Sequence, residues 1–149
     1  MQSRLLNETG GLRTFTVVLE TGDEAMSCLR SFAERERLGG SELVAIGAFS
    51  RAVLAYFDWE AKKYLHHPLE EQMEVASFIG DIALSGPGKP SLHAHLVLGR
   101  RDGTAVAGHL VEGHVRPTLE VVVTESPTHL RKVPDPETGL ALICPAQSD

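Results

Sequence analysis

The run Leu92-His93-Ala94-His95-Leu96-Val97-Leu98, then Gly99-Arg100-Arg101-Asp102-Gly103-Thr104, then Ala105-Val106-Ala107-Gly108-His109-Leu110-Val111, constrains the fold more than any other part of the chain. Two apolar alternating runs around an Asp-Gly pair are a strong hairpin signal. Side chains alternate across a strand, so His93 and His95 share a face. Register decides whether His109 joins them. If Arg101-Asp102-Gly103 is a three-residue loop with Gly103 left-handed, Arg100 faces Thr104 and His95 lies opposite His109. His93 is then on the diagonal of the same face, and opposite and diagonal Cβ separations of about 5 and 7–8 Å let the rings converge. Leu96 then faces Gly108, Ala94 faces Leu110 and Leu98 faces Val106, all on the apolar side. A two-residue Asp102-Gly103 turn reverses the parity and sends His109 to the other face. The three-residue loop segregates the faces cleanly and is preferred.

Three imidazoles on one face suit a divalent metal: zinc first, with nickel, iron or copper as further candidates. A three-histidine set leaves a coordination position open, which permits a bound ligand or Lewis-acid chemistry without establishing either. Glu120, on the next strand, is a candidate partner for a histidine N–H or a base acting on water at the metal, against the plainer reading of a carboxylate on a sheet rim. Glu112 and His114 fall in a predicted turn. His66 and His67 point to opposite faces, so at most one can join the cluster, and His129 reads as surface. Arg100 and Arg101 read as a solvated turn.

The whole chain is 149 residues, most simply one domain with a sizeable core. Its net charge of −6 opposes nucleic-acid binding through a basic surface. No apolar leader or membrane-length run is present, and Cys28 and Cys144 form no C-x-x-C pattern. The expectation is a cytoplasmic, reduced protein that contacts no membrane.

Residues 1–11 read as a loose lead-in and 12–20 as a strand. Thr21 and Glu24 fit a capping box for a helix with Ala25, Cys28, Leu29 and Phe32 on its buried stripe, ended by Gly39-Gly40. Residues 42–57 read as two strands or one bent strand with Gly47 at a bulge. A turn at 58–62 and a strand at 63–69 follow. Residues 71–84 fit either helix or strand, and 85–90 form a loop. Beyond the histidine hairpin, 114–117 read as a turn, 118–124 as a strand, 126–139 as loops, and 140–143 as a last strand before a polar tail. The fold class is α+β, a mainly antiparallel sheet packed by one or two helices.

Gly22-Asp23, Ala45-Ile46-Gly47-Ala48, Leu92-His93-Ala94-His95, Gly108-His109-Leu110 and Thr118-Leu119-Glu120-Val121 together resemble the plants and prokaryotes conserved domain. The landmarks occur in the expected order and make residues 12–125 the domain core, with 126–149 as a C-terminal extension. The resemblance implies a homotrimer and, in the prokaryotic branch, a metal site on the histidine set. In the plant proteins, AT-hook segments carry the DNA contact. This chain has no such hook, because Arg100-Arg101 is followed by Asp102-Gly103, so nucleic-acid binding through this chain alone is not expected. Three functions are in view: a metal-binding module with a binding or regulatory role, a small metal-dependent enzyme, and a DNA-associated regulator by analogy. A small ligand at the metal is compatible with the first two.

Overall fold

A computed structural model describes residues 1–147. Strands β1 (Gln2–Thr9), β2 (Leu12–Glu20), β3 (Gly40–Asp58), β4 (Lys63–Leu69), β5 (Met73–Ser85), β6 (Lys89–Gly99), β7 (Ala105–Glu125), β8 (Arg131–Pro134) and β9 (Ala141–Ile143) make one sheet, with a single α-helix among the described residues, α1 (Ala25–Glu36). Every strand pair is antiparallel except β5–β8, which is a two-residue parallel contact. This is the α+β class expected.

The long strands bend so that pairings β3–β5, β5–β6, β6–β7 and β7–β3 close a circuit. Their inward side chains, among them Phe49, Met73, Phe78, Leu96, Leu98 and Leu110, form one core with Leu29 and Phe32 of α1. Each large apolar side chain buried in this way contributes about 1.5–3 kcal/mol. Residues 42–57 are one bent strand, and the β3–β5 register slips between Ala45 and Gly47 as the bulge reading required. A side chain at Gly47 would press within 2.2 Å of the Thr118 carbonyl oxygen, which explains the glycine.

Several local expectations are corrected. Residues 1–11 are ordered as β1, a hairpin partner of β2, because every residue from Gln2 to Thr9 but Leu6 finds a partner between Leu12 and Val18. Glu24 itself caps α1, accepting from the Met26 and Ser27 amides at 3.0 and 2.8 Å, so Thr21 is not the cap. The helix ends at Arg37, which is left-handed, ahead of Gly39 and Gly40. Those glycine amides instead donate to the buried carboxylate of Glu125 at 2.9 and 3.2 Å, and Ser41 donates its hydroxyl to the same group. Of the segment that fitted either helix or strand, Met73 onward is strand β5 (Met73–Ser85). Residues 114–117 do not turn, since β7 runs through them with the Arg116–Pro117 peptide cis. Part of the expected 126–139 loop pairs as β8. The polar tail forms a 3-10 turn at Pro145–Gln147, and its last two positions lie outside the described residues.

Candidate metal centre

β6 and β7 are joined by the three-residue loop. The Arg100 amide donates to the Thr104 carbonyl at 2.8 Å, and Gly103 has φ +83°. Register follows: His95 faces His109, Leu96 faces Gly108 and Leu98 faces Val106. Ala94, Leu96, Leu98 and Leu110 are buried in the core, and the imidazoles project from the opposite side of the sheet.

His93, His95 and His109 each bring a ring nitrogen to within 4.8 Å of the other two. Nε2 of His93 and Nε2 of His95 are 3.2 Å apart. On its other side, His93 Nδ1 lies 3.2 Å from Asp81 Oδ2. A His93 ring that binds through Nε2 would donate its Nδ1–H to this carboxylate, with the Nε2 lone pair turned toward its neighbour. Asp81 is brought there by the β5–β6 hairpin, in which it pairs directly with His93. Its other oxygen forms an ion pair with Lys132 Nζ at 2.5 Å, and Lys132, from β8, is almost wholly buried. Burial opposes ionisation of Asp81, but hydrogen bonds from His93 and Lys132 prevail and hold its pKa below the usual value.

His109 is the most confined of the three. Its ring stacks on Tyr64 at 4.7 Å between centroids. Burial, and then the neighbouring charges of His93 and His95, push its pKa down to about 4, so the ring is neutral at pH 7. Burial and His93 lower His95 in the same direction. Nδ1 of His109 is buried with no hydrogen-bond partner among the described residues. A donor set of clustered imidazoles, one beside a carboxylate and one with an unpartnered nitrogen, fits a divalent metal ion. Such an ion, held by His93, His95 and His109, would supply Lewis acidity at its remaining position.

A cleft of about 350 Å³ opens beside the trio, lined by His93, His109, Asp81, Lys132 and Tyr64 together with residues 140–143. Asp81, Lys132 and Tyr64 are the members that sequence reasoning missed. Asp81 carried a signal, an acid in the apolar run Phe78-Ile79-Gly80-Asp81-Ile82-Ala83, legible only once that run is read as a strand. Glu120 is exposed on β7 between Val18 of β2 and Ile46 of β3 and does not line the cleft, so the carboxylate beside the trio is Asp81. Glu112 and His114 meet each other and Arg51 instead of the trio. His66 extends the row from His109 through Ala55 but is exposed, as are His67 and His129. Arg100 is held by Glu71 at 2.9 Å in the solvated turn.

Fold and site together define an α+β domain that presents a three-histidine cluster on one face of a largely antiparallel sheet. Residues 6–127 match the family model of the Plants and Prokaryotes Conserved (PCC) domain, and the chain belongs to that family. It is similar to a metal-containing protein of Archaeoglobus fulgidus, 32% identical with TM-score 0.81 over 88% of this chain and 92% of that one. A plant- and prokaryote-conserved protein of Pyrococcus horikoshii is 31% identical, with TM-score 0.82 over 93% and 97% of the two chains. A Bacteroides thetaiotaomicron protein named a "putative dna binding protein" is 25% identical, with TM-score 0.83 over 95% and 96%. No curated protein matches the chain.

Proposed function

We propose that this chain is a metal-binding module of the family, holding one divalent ion, zinc first, on His93, His95 and His109, with a binding or regulatory role exercised at that ion. The observation that carries this reading is the convergence of three ring nitrogens within 4.8 Å, with His93 braced by Asp81. The metal content named for the Archaeoglobus relative supports it. Elemental analysis of untagged protein tests it, beside the His93→Ala/His95→Ala/His109→Ala variant. About one metal per chain in the first and none in the second is the expected result. No metal in the first, even after incubation with zinc or nickel, overturns it.

A homotrimer belongs to the same proposal. Its support is an apolar outward sheet face on which Val44, Ile46, Ile79 and Val122 are 44, 64, 61 and 41% exposed, with Val44 paired to both Ile79 and Val122. Light scattering at several concentrations tests it, and a monomer throughout refutes it. A metal-dependent enzyme is the second reading, favoured by the cleft beside the trio. A DNA-associated role has the Bacteroides relative's name behind it, but 14 Lys and Arg against 20 Asp and Glu offer little to neutralise phosphates. No described helix is long and apolar enough to cross a membrane. Cytoplasmic residence is part of the proposal.

A further inference from the structure

The cleft lining combines a polar and an apolar set of side chains. The polar lining is His93 and His109 of the trio, Tyr64 and the Asp81–Lys132 ion pair. Because that pair is neutral as a unit, a divalent ion on neutral imidazoles would leave this polar lining with a net positive charge. The matching ligand charge is therefore negative. The apolar lining is Leu140, Leu142 and Ile143, with Leu142 and Ile143 still 46 and 39% exposed. Apolar side chains facing a water-filled cleft gain from being covered by hydrocarbon. The volume of about 350 Å³ suits a small molecule.

We infer that the cleft takes a small aliphatic carboxylate, its carboxylate directed to the metal on the histidine trio and its hydrocarbon laid against Leu140, Leu142 and Ile143. This rests on the metal reading above. The apolar lining lies beyond residues 6–127, the part of the chain that matches the family model. Selectivity among acids is then set by the C-terminal segment, while the metal site belongs to the family core. Lys132 links the two: it comes from β8, on which β9 is paired, and ends on Asp81, which braces His93.

The test uses the whole protein, untagged and loaded with cobalt(II), titrated with acetate, 3-methylbutanoate and 3-methylbutan-1-ol. Calorimetry reports affinity and the visible cobalt spectrum reports whether the ligand reaches the metal. Three added carbons covered by the apolar lining make 3-methylbutanoate bind about tenfold or more tightly than acetate, with a spectral change. The alcohol, lacking the charge, binds far more weakly. Leu142→Ser/Ile143→Ser retains cobalt and loses the preference; Leu140→Ser provides a second variant should the double one fail to fold. Equal affinity for the two acids, no binding of either to cobalt-loaded protein, or an unchanged preference in the folded variants overturns the inference and leaves the metal reading standing. Failure to take up cobalt removes both, and metal analysis of the same samples separates the cases.

Discussion

Acid stability of the metal-free protein offers a direct measure of how confined His109 is. The group has an ordinary value of 6.5 and is held at about 4 in the native state, by burial first and by His93 and His95 next. Above pH 6.5 both folded and unfolded chains carry it neutral, and it contributes nothing to the pH dependence. As pH falls below 6.5, the unfolded chain takes up a proton that the native chain refuses, so stability falls until the native group also titrates near 4. At about 1.4 kcal/mol per pH unit the full loss is about 3 kcal/mol, an upper bound because solvent screens a partly exposed ring. Urea unfolding in EDTA from pH 8 to 4 measures it. His109→Phe keeps a ring to stack on Tyr64 and removes the proton site; His109→Gln removes both. The wild type is expected to lose about 1–3 kcal/mol more than either variant across this window. Residual acid sensitivity from His95 is common to all three proteins and cancels. Asp81, whose pKa is lowered from 3.8, gives stability that is lost only as pH falls through its folded value, below the window. Parallel stability curves for wild type and variants would refute the argument.

His95→Ala abolishes metal retention and leaves the assembly state unchanged; loss of assembly in light scattering would make the histidines structural. Asp81→Asn keeps an acceptor for His93 but strips the charge that holds Lys132, and it weakens zinc binding about 10–100-fold in a competition titration. Glu125→Ala leaves the Gly39 and Gly40 amides and the Ser41 hydroxyl unsatisfied in the interior and costs about 3 kcal/mol in urea unfolding, with no change in metal content. Gly113→Ala places a methyl group 2.6 Å from the fully buried Phe49 ring and costs about 1–3 kcal/mol by the same measurement.

The fold was legible wherever the pattern was local. The β6–β7 hairpin follows from alternation plus one turn, because a period of two and a defined loop length leave a single register consistent with an apolar inner face. The bend in β3 was visible as a strand too long to stay flat, with a glycine in its middle. Residues 1–11 were misread because their side chains are exposed and carry no apolar period; β1 is held by the backbone ladder to β2, which leaves little trace in composition. Residues 114–117 carry a proline that ordinarily ends a strand, yet β7 continues, since β3 pairs with it on both sides of that point.

The site divides along the same line. Three histidines in two adjacent strands are a local constellation, and strand parity was enough to place them together. Asp81 lay one inference further. Ser85 and Lys89 close the β5–β6 hairpin, and counting back from them puts Asp81 opposite His93, but only if residues 71–84 are a strand. Their apolar positions fit two periods, so the count could not start. Lys132 lay beyond any count. It reaches Asp81 through a strand that touches β5 at two residues and in parallel, a contact too short to impose a pattern on the sequence. Glu120 follows the hairpin closely in sequence, but register gives it Val18 and Ile46 as neighbours, on strands that do not carry the trio. The histidine cluster is thus set by pairing between neighbours in sequence, whereas its bracing and the cleft lining depend on a segment whose position only tertiary packing decides.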